Sequence, residues 1–268
     1  MNALHRVNPA WWALIRLSAR SFYAYRFQSL VWCFSIMIQL YLLRVVWAGV
    51  YGSRESVLGV SSQTLLVYLT ISALHRFFFP TIIDYRIQER VTSGRVALDL
   101  VRPFSFLRQM IAMQVGSTAG VLPLLVVIVP LAMLVGSLDF PGVENFLLYL
   151  LSLALATVVN LLIWIHVGML SFWFLNVNGI RVMLKVCSDF LAGALVPLWF
   201  MPGGLRFVLE LLPFQATTFL PASIYAGQLG GIETLKPLGI QVIWILILIP
   251  TSRLVWSRAQ RRIVIQGG

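Results

Sequence analysis

The side chains with which this chain could do chemistry are few and scattered. Its three histidines, His5, His75 and His166, lie on separate stretches, and none has a carboxylate three or four residues away. Neither a metal site nor a Ser/His/Asp constellation can be assembled from them. The two lysines, Lys185 and Lys236, each follow leucine. The glycine-lysine junction of a phosphate-binding loop is therefore missing, and the chain cannot hydrolyse ATP by that motif. Neither H-E-x-x-H nor G-x-S-x-G occurs. Cys33 and Cys187 are isolated from each other and from histidine, and read as small buried hydrophobes.

The charged residues that remain are distributed unevenly. The nine carboxylates fall almost entirely outside the apolar runs, and Asp189 is the deepest, with Lys185 one turn earlier as its expected ion-pair partner. A carrier driven by protons or sodium needs acids inside the hydrocarbon zone, and this chain is poor in them. Arg44 and Arg76 do lie inside apolar runs. Two readings are open for them: their side chains snorkel to the headgroups, or they face a polar cavity or a neighbouring helix, with His75, Asn160 and His166 as further contributors to such a cavity.

The elements that must position these groups follow from composition. The 268 residues are 59% hydrophobic and 11% charged, with mean hydropathy +0.88, too apolar for a water-facing surface. About 20 residues cross a hydrocarbon layer as a helix. Six runs meet that length, at approximately 28–50, 63–83, 110–136, 146–175, 183–201 and 237–256. The class is an all-α polytopic membrane protein, one membrane domain over 1–268. With the N-terminus in the cytoplasm, 15 of the 20 basic residues fall on inner segments. The positive-inside rule then places both termini in the cytoplasm and accounts for the net charge of +11 without nucleic acid.

Residues 1–27 read as an interfacial helix on the inner leaflet, with Trp12, Ile15 and Phe22 opposite Arg16 and Arg20. In the third run, "GSTAG" sets Gly116 and Gly120 at the spacing of close helix packing. Between the last two runs, Pro197, Pro202, Pro213 and Pro221 divide apolar pieces too short to cross. Residues 202–236 are expected to form an outer re-entrant segment, which requires cover from the other spans.

One polar island interrupts the apolar chain, "YRIQERVTSGRVALDLVRPFSFLRQ", within 84–109. It reads as a short helix, a turn at Gly94 and a second helix ended by Pro103, with Arg95 and Asp99 at i, i+4. Arg86, Glu89, Arg90, Arg95, Asp99 and Arg102 supply charge. Ile87, Val91, Leu98 and Leu100 supply apolar contact. A solvated loop has no use for the second set, whereas a surface that docks a cytoplasmic partner uses both.

The order of inner helix, two spans, basic segment, two spans, a fifth span, a Pro-broken outer segment, a sixth span and a basic tail resembles the membrane subunit of type-2 ABC exporters. The likeness covers essentially the whole chain. "RIQERVTSGRVALDLVRPFS" resembles the coupling segment of small bacterial six-span permeases, and "AGALVPLWFMPGGLRFVLELLPFQATTFLPASIYAG" their outer segment. The resemblance implies a bacterial plasma-membrane permease without catalytic residues or cofactors of its own. It would pair with a second copy or a paralogue, and separate ABC ATPase subunits would bind ATP and magnesium. It implies that the second and fifth spans face the partner, which makes Phe77, Phe78, Leu195 and Trp199 candidate wall residues beside Arg44, His75 and Arg76. The substrate expected is amphipathic, drug-like or lipid-like. A lipid-modifying intramembrane enzyme and an ion-coupled carrier are the alternatives.

Overall fold

The computed structural model describes residues 3–266, apart from positions 25, 80, 81, 103, 175, 176 and 230. The side chains of 3–8, 22–24, 26, 28, 29, 32, 77, 232 and 263–266 also lie outside the described set. Candidate residue Pro103 and the side chains of Phe22 and Phe77 are therefore not placed.

Helices α1 (Ala3–Ala24) and α2 (Arg26–Tyr51) lead into a small hairpin, β1 (Ser56–Val57) with β2 (Val60–Ser61). Leu58 and Gly59 at its tip both have positive φ, 52° and 79°, the geometry of a two-residue mirror-image turn. Then follow α3 (Ser62–Phe78), α4 (Ile83–Thr92), α5 (Arg95–Val101), α6 (Phe106–Val121) and α7 (Leu125–Val135). The chain continues as α8 (Val143–Met169), α9 (Asn178–Leu191), α10 (Gly203–Glu210), α11 (Phe219–Tyr225) and α12 (Leu235–Gln266).

Four stretches are long and apolar enough to cross a membrane: Cys33–Tyr51, Phe106–Val135, Val143–Phe172 and Leu235–Arg262. The third expected span is thus α6 and α7 running on through a 3₁₀ turn that carries Pro123. The second and fifth expected spans differ. Helix α3 is only 17 residues long. The run 183–201 is not one helix: α9 stops at Leu191, and Gly193 follows with φ +72°. Tyr68 Oη donates to the Gly193 carbonyl at 2.7 Å, and a Cβ on Gly193 would lie 2.6 Å from Leu198 Cδ1. A left-handed glycine followed by Pro197 ends helical hydrogen bonding even where every residue is apolar. Gly203–Glu210 and Pro213–Tyr225 then meet at 72°, so the prolines do divide this stretch. All seven residues of α11 are buried.

Two cores organise the bundle. The larger gathers Leu40, Leu65, Tyr68, Leu69, Ile128, Val159 and Ile224 from α2, α3, α7, α8 and α11. The smaller joins Ile83 and Ile87 of α4 and Val96 of α5 to Phe106 and Met110 of α6, Ile165 and Met169 of α8, and Ala259 of α12. Gly168 makes that seat: a Cβ there would lie 2.9 Å from Ile87 Cδ1 and 3.0 Å from the backbone of Asp84.

Helix α1 does more than lie on a surface. It crosses α6 at Gly116, where an added Cβ would be 2.4 Å from the Ile15 carbonyl oxygen. Ile15 and Ser18 are buried there, while Trp12 points outward at 55% exposure. The apolar face expected from Trp12 and Ile15 together is therefore split, because the helix packs on protein along one narrow ridge. Cys187 is exposed and Cys33 half-buried, so neither is the buried hydrophobe expected. Helix α9 turns its apolar face, Val182, Met183, Val186 and Cys187, away from the bundle.

Candidate functional site

One face of α9 carries a ladder of charge, part-buried at Arg181 and Asp189 and exposed at Lys185. Arg181, Lys185 and Asp189 recur every fourth residue and so project from one side of the helix. At one end Arg181 reaches Asp84 of α4 at 3.7 Å and lies over the Tyr85 ring at 5.2 Å from its centroid. Gln88 Nε2 adds a hydrogen bond to Asn178 Oδ1 at 3.2 Å. At the other end Asp189 accepts from Arg76 Nη2 at 2.5 Å. Asp189 therefore pairs across the fold with Arg76, not along its own helix with Lys185: proximity in space supplies the bidentate-capable guanidinium.

That ion pair sits in a cavity of about 310 Å³ between α2, α3, α8, α9 and the turn before α11. Arg76 Nη1 also donates to Gln39 Oε1 at 2.9 Å. Ser35, Gln39, Ser72, His75, Asn160, Lys185, Thr217 and Thr218 add polar groups to a mixed lining that also includes Ile36, Ile163, Trp164 and Phe214. Of the two readings left open for Arg76, the cavity is the one observed. His75 lines it too, but its ring is buried, stacked on Tyr149 at 5.9 Å with Nε2 3.3 Å from the tyrosine oxygen. A second cavity, about 270 Å³, is almost wholly apolar and shares Phe79, Asn160 and Trp164 with the first. Phe78 lines this second space.

The other expected cavity residues are elsewhere. Arg44 Nη1 donates to the Val135 carbonyl at 2.7 Å, which caps the last turn of α7 with a cation. Trp199 packs edge-on against Tyr68, with ring centroids 4.9 Å apart, and lines neither cavity, as is true of Leu195. His166 faces α12, 3.1 Å from Thr251 Oγ1. Gln39, Ser72, Thr217 and Thr218 are cavity residues that pattern reading overlooked. The available signal was a polar side chain recurring inside an apolar run.

The polar island forms α4 and α5 with Gly94 between them at φ +71°, a backbone setting that favours glycine. Its charges pair differently from expectation. Asp99, 1% exposed, takes Arg90 at 2.7 Å and Arg102 at 3.2 Å, while Arg95 turns to Glu89 at 3.2 Å. Asp99 is buried on the inward side of α5 while Arg95 is 63% exposed, so the carboxylate is met by Arg90 and Arg102. Arg86 is largely buried and donates to Ser117 Oγ of α6 at 3.0 Å; burial holds its pKa below the usual guanidinium value. Burial likewise pushes the Asp84 carboxyl above its usual range, against the opposing pull of Arg181.

The apolar residues of the island also divide. Ile87 is fully buried, and Val91 and Leu100 pack against the smaller core. Leu98 and Val101 stand 69% and 85% exposed, flanked by Arg95 and Arg102. Ile87, Val91 and Leu100 are thus seating residues, and the outward surface is smaller than expected and centred on α5.

The described residues thus form a helical bundle with four apolar stretches long enough to cross a membrane and an exposed, charged α5. A family model described as ABC-2 family transporter protein matches residues 15–267. The chain belongs to the ABC-2 family. No curated protein matches it. As an ABC-2 protein it is a multi-pass membrane chain and a permease component of an ABC transporter, working with an ABC ATPase.

Proposed function

We propose that this chain is one of two permeases in a bacterial ABC exporter of amphipathic molecules, and that α5 is where the ATPase docks. The observation that carries this is the division within 84–109: Ile87 and Asp99 anchor the segment to its own bundle, while Leu98, Val101, Arg95 and Arg102 are presented outward. An isolated pair of large aliphatic side chains beside arginines on a braced helix suits a protein groove that takes both.

In this reading the chain crosses six times, with α3 as a short second crossing and α9 with its following turn as the fifth. The bent pair α10 and α11 dips into the outer leaflet and returns, covered by α3 and α8. Both termini and the 84–109 segment are cytoplasmic, as the basic residues favour. ATP and magnesium bind the partner subunit. Closure of the ATPases pushes α5, the braced segment moves as a unit, and α4 passes the displacement to α9 through Asp84–Arg181 and Gln88–Asn178. The second permease is a further copy or a paralogue.

The test uses the double variant Leu98→Asp/Val101→Asp, because both side chains face outward and their replacement leaves the core intact. Co-expressed with its ATPase, it should unfold at the parent temperature yet lose ATPase association and ATP-driven transport in sealed vesicles. Full transport by that variant would overturn the docking role of α5.

A further inference from the structure

The cavity beside α9 carries an unmatched charge. Arg76 and Lys185 face one carboxylate, Asp189, and Arg76 holds it. The other carboxylate that feels Lys185, Asp84, is engaged by Arg181. The Lys185 ammonium makes no hydrogen bond or ion pair with any described residue. Lys185 is exposed where it lines the cavity and contributes a positive field at Asp189 and Asp84, so its ammonium is free to take a further anionic partner. The Arg76–Asp189 pair is itself about one-third exposed, so it is reachable from the cavity.

The neighbouring space is of the opposite character. Val115, Leu122 and Leu161 line it, and Phe79, Asn160 and Trp164 line both spaces. A polar chamber with excess positive charge beside an apolar chamber, sharing three side chains, fits one molecule with two ends.

We infer that these joined chambers bind the exported substrate, and that it is an anionic amphiphile whose carboxylate or phosphate meets Lys185 and Arg76 while its hydrocarbon part enters the apolar chamber. This names the substrate class within the permease reading and rests on it. The same charges make a cationic amphiphile a poor occupant. Asp189 then acts as a competitor for Arg76 within the site: it neutralises the arginine when the chamber is empty and yields part of it to the ligand's anion.

The test is binding of radiolabelled dodecanoate to the purified full chain in nanodiscs of phosphatidylcholine, without ATPase or nucleotide. Saturable binding is expected, displaced by unlabelled dodecanoate and not by dodecyltrimethylammonium or acetate. Lys185→Gln should weaken it by about tenfold, the loss of one charge-assisted contact. Asp189→Asn should tighten it severalfold, because it frees Arg76. Opposite signs from two variants on the same helix face cannot come from a shared loss of folding. Equal weakening by both, no change with Lys185→Gln, or equally tight binding of the cationic probe would overturn the proposal. So would an anionic phospholipid that copurifies at one per chain, is lost in Lys185→Gln and resists dodecanoate, for the site would then be a resident lipid's. The assay contains no ATPase, so such a failure removes the substrate class alone, whereas failure of the α5 variant experiment removes the docking reading.

Discussion

In α4 and α5 the buried Asp99 is held by Arg90 nine residues earlier and Arg102 three residues later, so its cross-links close short loops. In the cavity the ion pair joins Arg76 to Asp189, 113 residues apart and on different helices, and a second cation is left over. The first arrangement stiffens a single piece of chain, because short closures cost little entropy and the carboxylate has no access to water. The second connects two pieces that can separate, and its members are open enough to take another partner. In the proposed transport cycle the first region is the one that is pushed and the second the one that exchanges contacts.

The sharpest way to break this contrast is Asp99→Asn. It leaves two arginines facing a neutral side chain in a buried seat, and should cost about 3–5 kcal/mol. Thermal unfolding would show it, and limited proteolysis should cut first between α4 and α6. A loss no larger than that of an exposed ion pair would mean that Asp99 does not brace the segment. Arg76→Gln probes the other side. Because water and ligand reach the Arg76–Asp189 pair, its loss should lower stability by no more than about 1 kcal/mol. A cost as large as that of Asp99→Asn would erase the distinction between the regions. Smallest of the three, Arg95→Ala removes the exposed Glu89–Arg95 pair at the rim of the segment and should shift unfolding by only about 0.2–1 kcal/mol. Its effect belongs in ATPase association, read by co-purification, since Arg95 flanks the outward leucine and valine.

Much of this was legible beforehand, and the misses have particular causes. The runs around α2, α6 with α7, α8 and α12 announced themselves by length and apolarity, which act over some 20 residues and tolerate local error. The run 183–201 satisfied the same count, yet Gly193 takes a left-handed conformation and breaks it; apolarity reports environment and is silent on φ. Gly94 was readable as a turn because polar residues surround it. The hairpin at Leu58–Gly59 was not, because leucine is an unusual occupant of a positive-φ position. In the site, Arg76 and His75 stood out as polar groups in an apolar run, but Gln39, Thr217 and Thr218 come from distant elements that only packing assembles.

Sequence alone was enough for the membrane environment, the helical class and the lack of a phosphate-binding-loop motif, because these depend on counts and on motifs whose members are neighbours along the chain. It also determined that charge would gather in 84–109. Tertiary structure decided which charges meet. Asp189 chose Arg76 over Lys185, Asp99 chose Arg90 and Arg102 over Arg95, and Ile87 was drawn into the groove at Gly168 while Leu98 stayed outside. Coulomb attraction and close packing act on distances of a few ångströms, and where two helices cross, those distances are set by the folded backbone and not by spacing in sequence.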